Sequence, residues 1–227
     1  MAYQICVALT TEGTTDINFL QNIVENLFVQ IAFDHVRSET ECIVNVVGVK
    51  KTGLSFAENV KEAAKEAHDI FGATTLAVHT DADKMTYDER RENNIAAAEA
   101  ALQGLSSDEY CLLLTPVIPV RMIEAWMLAD KDLLRSEFGT RLTDAQLGID
   151  GNPEDMADPK AKIEDAIRIA KTQATHKNKA NDVDISDLYA ILGQKIPISK
   201  LETLSSFQRF EGEILETLTK LGLPIIS

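Results

Sequence analysis

The sequence predicts an α/β fold built on a mainly parallel sheet of about four strands, followed by an all-helical region. Two observations carry this prediction. Short apolar runs alternate with helical patterns over the first two-thirds of the chain, and no strand pattern follows about residue 120. Such alternation with short connections favours parallel strands joined by right-handed crossovers. We therefore expect an α/β domain over residues 1–136 and a helical extension over residues 137–227, packed on or near it.

The strands are predicted from short, apolar runs that contain β-branched residues. They cover residues 4–10, 43–47, 75–78 and 110–114. Each run is shorter than an ordinary buried helix and is bounded by polar or turn-forming residues, which favours a strand.

Helices are predicted between the strands, where apolar residues recur at spacings of three and four. The first helix covers about residues 15–33. Ser55 and Thr86 each precede a glutamate by three residues, which is the capping-box pattern at the start of a helix. The helix that begins at Thr86 is rich in alanine and is expected to extend to about residue 105.

Beyond residue 120 the pattern is helical. The pattern over residues 122–138 predicts one helix. Asp158 is the expected N-cap of another. Residues 150–158 are rich in turn formers and acids, so we interpret them as a solvated connector. An apolar stripe at helical spacing follows near the C-terminus: Phe207, Phe210, Ile214, Leu218 and Leu221.

The amino-acid composition is typical of a soluble globular protein. Apolar residues make up 45% and charged residues 26%, as in ordinary soluble domains. No run approaches the roughly 20 apolar residues of a membrane span, and the N-terminus lacks a signal-peptide pattern. Cys6, Cys42 and Cys111 are isolated in apolar stretches, which predicts reduced core cysteines. We therefore expect a cytoplasmic protein without a membrane partner.

The net charge of −14 restricts how the chain can bind nucleic acid. Contacts between phosphates and Lys or Arg normally dominate that binding. A uniformly acidic surface repels a polyanion, so binding would require metal ions, a local basic strip or a basic partner.

Acidic residues follow three of the predicted strands, where each strand ends. Glu12 follows the first strand, Asp81 and Asp83 follow the third, and Glu124 lies just beyond the fourth. The carboxyl ends of parallel strands meet at one edge of a sheet, and ligands bind at that edge. Carboxylates gathered there form an all-oxygen site suited to Mg²⁺ or Mn²⁺. The pattern predicts a metal-dependent enzyme that acts on phosphate groups.

Each of these residues also has a structural interpretation. Glu12 would complement the dipole of the next helix, after a sharp turn at Gly13. Asp81 and Asp83 would be a solvated acidic turn, although in an extended segment they project to the same side and could share a cation. His79 would be either a hydrogen-bonding support for the site or a partly buried structural histidine. Trp126, next to Glu124, is interpreted as a packing residue.

Basic residues near the strand ends are candidates to offset the charge of a phosphate substrate. They are Lys50, Lys51, Lys84, Arg90, Arg91 and Arg121. Lys84 or Arg121 would stabilise the negative charge that develops during the reaction. Signatures of serine hydrolases, zinc proteases, CxxC sites and Walker A loops are missing from the sequence.

Taken together, these motifs resemble the Toprim family, the catalytic domain of topoisomerases, primases and OLD-type nucleases. The family pattern is Glu-Gly after the first strand and Asp-x-Asp after the third. Here these are Glu12-Gly13 and Asp81-Ala82-Asp83. The segments EGTTD, HTDAD and RMIEAWMLAD look more particularly like a bacterial Toprim-like family of unknown function, and SFQRF in the tail is also similar.

The resemblance implies a Toprim-like, Rossmann-like fold and a Mg²⁺- or Mn²⁺-dependent nuclease. It implies that Asp81 and Asp83 bind the metal and that Glu12 is a general acid/base or a further ligand. Glu124 is a candidate third ligand or general base, and Lys84 a candidate catalytic cation. Members of that bacterial family often occur beside ATPases in settings that suggest anti-phage defence. We therefore expect a toxic effector with a DNA or RNA substrate, a partner ATPase and a capacity to self-associate.

Two alternatives remain open from the sequence. In the first, a catalytically silent Toprim-fold subunit recognises or regulates a partner ATPase complex, which the −14 charge and the apolar stripe at Phe207 favour. In the second, the chain is a small-molecule phosphotransfer enzyme of the response-regulator type, with Asp81 or Asp83 as the phosphate acceptor. The second alternative lacks the expected acidic pair at the first strand.

Overall fold

The computed structural model describes residues 3–48, 53–173 and 182–226. Its sheet has four parallel strands in the order β2-β1-β3-β4. The strands are β1 (Tyr3–Thr10), β2 (Thr40–Val46), β3 (Thr75–His79) and β4 (Leu114–Val117). Helices flank the sheet, and the region after β4 is helical, which confirms the predicted α/β fold class.

Eleven α-helices lie within the described ranges. They are α1 (Thr14–His35), α2 (Phe56–Phe71), α3 (Tyr87–Arg90), α4 (Ala96–Leu102), α5 (Ile123–Met127), α6 (Lys131–Phe138), α7 (Asp144–Leu147), α8 (Pro159–Thr172), α9 (Ile185–Lys195), α10 (Ile198–Leu201) and α11 (Ser205–Lys220). A π-helical turn, Arg91–Ile95, joins α3 to α4, and a 3₁₀ turn, Pro153–Asp155, precedes α8. None of these helices is both long and apolar enough to cross a bilayer.

Local capping explains several helix starts. At α2, the Oγ of Ser55 accepts from the amide of Glu58 at 3.3 Å, and the amide of Ser55 donates to the Glu58 carboxylate at 2.7 Å. Thr86 begins α3 with the same reciprocal pair. Asp158 caps α8 by accepting from the amide of Ala161 at 2.9 Å. The predicted capping residues are confirmed, because such signals depend only on neighbours in sequence.

Two element boundaries were predicted wrongly. The fourth strand is Leu114–Val117 rather than residues 110–114, and it contains Pro116. An edge strand such as β4 tolerates proline because only one of its sides is hydrogen-bonded. The expected helix over residues 122–138 is divided into α5 and α6, because the side chain of Asp130 accepts from the amide of Leu133 at 3.0 Å and starts a new helix.

Both faces of the sheet are buried. Along β1, Val7 packs with α1 and the C-terminal helices, whereas Ala8 packs with α2 and α4 on the opposite face. This alternation is the period-two geometry of a strand. Helix α1 packs closely on α9, and α11 packs against β4. The helical region therefore shares one apolar core with the sheet.

The apolar stripe near the C-terminus belongs to that core. Phe207 and Phe210 are fully buried, and the ring of Trp126 lies edge-on to Phe207 at a centroid distance of 5.0 Å. The indole Nε1 of Trp126 donates to Ser206 Oγ at 2.8 Å. Trp126 is thus a packing residue, as predicted. The stripe is covered by the chain itself, so it no longer supports the partner-binding alternative.

The expected solvated connector also has a buried part. Glu154 is only 7% exposed. Its carboxylate accepts from the amides of Ser205 and Ser206 at 2.9 and 2.8 Å. The interpretation of residues 150–158 as solvated throughout was wrong, because this acid is needed to satisfy the N-terminus of α11.

Candidate functional site

The predicted acidic positions lie at one edge of the sheet. Thr10 and Val78 are paired near the ends of β1 and β3, so Glu12 and Asp81 leave neighbouring strands in the same direction. Asp83 follows Asp81, and Glu124 lies in α5, just beyond β4. The parallel topology therefore brings these positions together at the carboxyl edge, as ligand sites of open α/β sheets require.

A buried histidine lies at the centre of this edge. His79 is 1% exposed, and its Nε2 is 3.2 Å from Oδ1 of Asp81. Its Nδ1 is 3.6 Å from Oδ2 of Asp16, and it has no hydrogen-bond partner among the described residues. Burial alone lowers the pKa of His79, but the hydrogen bond to Asp81 and the surrounding carboxylates together raise it. The imidazole thus lies between two acids, whose negative charges favour its protonated form.

Asp81 is fixed from two directions. Its Oδ1 accepts from His79 and also from the amide of Ile123 at 3.0 Å, at the start of α5. Both bonds use the same oxygen. The other oxygen, Oδ2, meets no donor in the described part of the chain, so it is available to an external ligand.

Glu12 is held against β3. Its Oε1 accepts from the hydroxyl of Thr80 at 2.5 Å, and Thr80 is fully buried. The following Gly13 has φ −129° and ψ 155°, which is ordinary extended backbone. The expectation of a sharp, glycine-dependent turn at Gly13 was therefore wrong. Its amide donates instead to Asp16 at 3.0 Å, which closes the first turn of α1.

Asp16 also lies at this edge, although it was not among the candidate site residues predicted from the sequence. Burial raises its pKa, and the negative charges of Asp81 and Glu12 raise it further, against the opposing effect of His79. The available signal was position: Asp16 lies in the first turn of the helix that follows Glu12, where its side chain turns back to the sheet edge.

Asp83 faces a different partner from Asp81. Its backbone is left-handed, with φ 54°, so the extended geometry that would project both aspartates to one side is interrupted. Nη2 of Arg90 lies 2.5 Å from Oδ2 of Asp83. The amide of Asp83 donates to the carbonyl of Arg121 at 2.7 Å, and Arg121 is also left-handed, with φ 67°. Two non-glycine residues in this strained region hold the loop ends after β3 and β4 together.

Glu124 is buried beside the acidic edge. It is 5% exposed, and the hydroxyl of Tyr189 in α9 donates to its Oε1. Burial raises the pKa of Glu124, the charge of Asp81 adds to this, and the hydrogen bond from Tyr189 opposes it. Nζ of Lys160 lies 4.0 Å from the same oxygen. Tyr189 and Lys160 were missed in the sequence because neither carries a local motif.

The predicted basic residues differ in where they lie and in what they contact. Lys84 and Arg121 line one surface depression. Arg90 binds Asp83, as described above. Arg91 donates through Nε to Glu213 in α11 at 2.9 Å, so it ties α11 to the sheet domain. The remaining two candidates, Lys50 and Lys51, lie outside the described residues.

The carboxylate oxygens at this edge are of the kind that a hard cation prefers. Glu12, Asp16 and Asp81 each keep one carboxylate oxygen that receives no hydrogen bond from the described residues, and oxygen is the donor that Mg²⁺ and Mn²⁺ prefer. In this arrangement, however, no group of three or more His, Cys, Asp or Glu side chains in the described ranges is placed to hold one ion. Asp83 could join such a site only after release from Arg90.

A small cavity adjoins the site. A cavity of about 60 Å³ lies between the end of β1 and α2, and Glu12 and His79 form part of its wall. Its inner surface includes the apolar side chains of Phe56 and Val60. This volume is large enough for ordered water beside polar groups, but far smaller than a nucleotide. Water can thus approach Glu12 from this side.

Comparisons of the chain with family models, with curated proteins and with solved structures gave no significant match. The function must therefore be argued from the sequence motifs and from the geometry of this edge.

Proposed function

We propose that the chain is a metal-dependent phosphodiesterase that cleaves nucleic acid. The observation that supports this most is the pair of carboxylates, Asp16 and Asp81, on opposite sides of the buried His79 at the carboxyl edge of the sheet. Two acids at this position, with Glu12 alongside, form an oxygen-rich site, and Lys84 and Arg121 line a surface depression near the same loops. That combination suits a phosphate group bridged to the protein by a divalent cation.

Mg²⁺ or Mn²⁺ is the proposed cofactor. Glu12, Asp81 and Asp83 would hold it, with Asp16 as a further oxygen donor on the same edge. When bound, the ion would supply Lewis-acid activation of the phosphate and would lower the pKa of a coordinated water. Asp83 would have to exchange its ion pair with Arg90 for the metal.

The chain's own side chains then have distinct tasks. His79 orients Asp81 through the 3.2 Å contact and balances the charge of the acids around it. Glu12, which lines the water cavity, would accept or return the proton of the attacking water. Glu124, whose pKa is raised by burial, would serve as the second group that exchanges a proton. Lys84 and Arg121 would stabilise the charge that develops on the phosphate.

The biological setting that we propose is anti-phage defence, as a toxic effector acting with a partner ATPase in the cytoplasm. The resemblance of the EGTTD, HTDAD and RMIEAWMLAD segments supports this setting. The net charge of −14 is compatible with it, because a basic partner would help to bring a polyanionic substrate to the site.

A cleavage assay tests the proposal. The purified chain is incubated with DNA and with total RNA, in Mg²⁺, in Mn²⁺ or in EDTA, with and without the product of the neighbouring gene. We expect metal-dependent cleavage that Asp81→Asn abolishes while the melting temperature without metal stays within a few degrees. Lys220→Gln, at the far end of α11, serves as a control that keeps activity. Cleavage that survives in EDTA or in Asp81→Asn would refute the proposal.

The second candidate function is the catalytically silent subunit of an ATPase complex. One observation favours it: the Asp83 carboxylate is engaged by Arg90, and in the described ranges no three acidic or imidazole groups are placed around one ion. For such a subunit, Mg²⁺ would leave the melting temperature of the wild-type chain unchanged, and Asp83→Asn would leave toxicity unaffected. Metal-dependent stabilisation that is lost in Asp83→Asn would exclude it.

A further inference from the structure

A surface depression of about 370 Å³ lies beside the loops that follow β3 and β4, and its wall includes Lys84, the residue after Asp83. Three cations from separate parts of the chain line it. Lys84 follows β3, Arg121 follows β4, and Arg209 lies near the start of α11. We call this surface the basic depression. It is where the helical region meets the loops of the sheet edge.

The cations of the basic depression are available to a ligand. Within the described part of the chain, Lys84 makes no hydrogen bond or ion pair, and Arg121 donates only to the backbone carbonyl of Asp83, at 3.4 Å. Arg209 donates to Asp88 at 3.0 Å, but both side chains are more than half exposed. Exposed pairs of this kind contribute about 0–1 kcal/mol, so a phosphate can replace Asp88 as the partner of Arg209.

One buried acid also borders the basic depression, and its charge is already balanced. Glu154 accepts from the amides of Ser205 and Ser206, and the hydroxyl of Ser205 donates to it at 2.7 Å. This acid occupies the N-terminus of α11, so that helix end is not an open anion site. Binding in the basic depression must therefore come from the three cationic side chains.

We propose that the basic depression binds a backbone phosphate of the substrate strand, next to the phosphate that is cleaved. This inference rests on the proposed nuclease function and gives α11 a part in substrate binding. Lys84 follows Asp83 in sequence, and Nη1 of Arg121 lies 3.4 Å from the carbonyl oxygen of Asp83, so a strand with one phosphate at the acidic edge would extend towards these cations. Its volume falls within the range of about 300–1,000 Å³ that small-molecule sites have. The partly exposed Met85 supplies an apolar surface for the sugar or base.

The charge of the chain favours a strand over a free anion. The overall charge of −14 repels small anions and polyanions alike. A strand overcomes this repulsion because it contacts several cations at once and releases counterions, which a single phosphate cannot do to the same extent. The expected signature is binding that weakens steeply as salt concentration rises.

Binding of labelled oligonucleotides tests the inference. Fluorescence anisotropy is measured with short DNA and RNA strands in EDTA, so that no cleavage occurs, over a range of salt concentrations. For Lys84→Gln/Arg209→Gln we expect affinity to fall by about tenfold for each cation removed. The slope of log affinity against log salt should decrease by about one for each lost phosphate contact. Arg121→Gly removes the third cation, and glycine accepts the positive φ of that position.

A matched control removes the same charge elsewhere. Lys220→Gln/Arg168→Gln changes two exposed cations on α11 and α8 that do not line the basic depression. We expect this variant to bind like wild type. Equal losses in both double variants would show a nonspecific effect of net charge and would overturn the inference. Failure of the wild-type chain to bind either strand would overturn it as well.

Two further results separate this inference from its alternatives. If inorganic phosphate displaces the oligonucleotide as effectively as an unlabelled strand does, the depression binds a small anion and the strand assignment is wrong. If Asp81→Asn abolishes cleavage while Lys84→Gln/Arg209→Gln binds normally, the nuclease proposal stands and this inference fails. Loss of binding in that double variant, in a chain that cleaves nothing, would show that the basic depression binds a strand, but it would refute the nuclease and the assignment of a neighbouring cleaved phosphate.

Discussion

Arg90 holds the carboxylate of Asp83: its Nη2 lies 2.5 Å from Oδ2, and the same nitrogen donates to the carbonyl of Ala82 at 3.2 Å. Asp83 is the second acid of the Asp-x-Asp motif. A cation already occupies one of its oxygens, so a metal ion must compete with a guanidinium for this residue. The ion pair is thus an internal competitor of the proposed cofactor.

The first prediction follows from this competition. Arg90→Gln removes the competing charge, and Asp83 is well exposed, so the expected gain in Mg²⁺ affinity is about two- to fivefold. The measurement is a calorimetric Mg²⁺ titration of wild type and variant. Arg91→Gln is the control, because Arg91 pairs with Glu213 instead. Unchanged Mg²⁺ affinity in Arg90→Gln would show that Asp83 is not a metal ligand.

The second prediction concerns pH. Burial raises the pKa of Glu124 above its ordinary value of 4.5, so the folded state keeps this proton to a higher pH than the unfolded state. The contribution of Glu124 to the free energy of unfolding therefore falls as pH rises above 4.5, and levels off above the folded-state pKa. Glu124→Gln cannot ionise. Its free energy of unfolding, relative to that of wild type, should therefore increase as the pH rises from 4.5 to the folded-state pKa of Glu124.

Urea unfolding of wild type and Glu124→Gln over a pH series measures this difference. Glu216→Gln is the control with the opposite sign, because the hydrogen bond from Lys220 lowers the pKa of Glu216. A lowered pKa contributes stability that is present above the unfolded-state pKa and lost as pH falls. Parallel pH profiles for wild type and Glu124→Gln would show that Glu124 titrates like an exposed acid.

What could be predicted from the sequence was mainly local. The capping boxes at Ser55 and Thr86 join residues three apart, and the edge position of Glu12 and Asp81 follows from strand order alone. The long-range hydrogen bonds that hold the site residues in place could not be predicted from such local signals. The hydroxyl of Tyr189 reaches Glu124 across 65 residues of sequence, and such a contact leaves no periodic or spacing signal.

The geometry within the Asp-x-Asp motif was also beyond sequence reasoning. Alternation along an extended segment predicts that Asp81 and Asp83 share one side. The left-handed φ of Asp83 depends on a backbone bond to Arg121, which is 38 residues further on. Asp83 therefore turns to Arg90, while Asp81 turns to His79. Long-range backbone contacts, rather than local propensity, decide this loop.

The third prediction tests whether the helical region folds as one unit with the sheet. Ser206→Ala leaves the buried indole N–H of Trp126 without its acceptor, which should cost about 1–3 kcal/mol. Thr219→Ala is the control and should cost less, because its exposed hydroxyl donates only to the carbonyl of Leu215 within α11 at 2.8 Å. Unfolding in urea is followed by far-UV circular dichroism and by fluorescence of Trp126, the chain's single tryptophan. Two separated transitions would indicate independent domains.

The fourth prediction concerns two glycines inside helices. Gly193 of α9 lies against α1 so closely that an added Cβ would be 2.6 Å from the carbonyl oxygen of Phe19 and 2.8 Å from that of Asn18. Backbone atoms cannot move aside as a flexible side chain can. Gly193→Ala should therefore destabilise the chain by about 1–3 kcal/mol, through forced separation of α9 from α1.

Gly212 of α11 is the control for this substitution, because a Cβ there would meet nothing within 4 Å. Alanine has a higher helix propensity than glycine, so Gly212→Ala should stabilise the chain by about 0.5–1 kcal/mol. Urea unfolding of the two variants compares the same chemical change in two environments. Since α9 carries Tyr189, separating α9 from α1 should also weaken the bond to Glu124 and reduce cleavage in Gly193→Ala. If both alanine variants are stabilised alike, α9 does not pack on α1 at this distance.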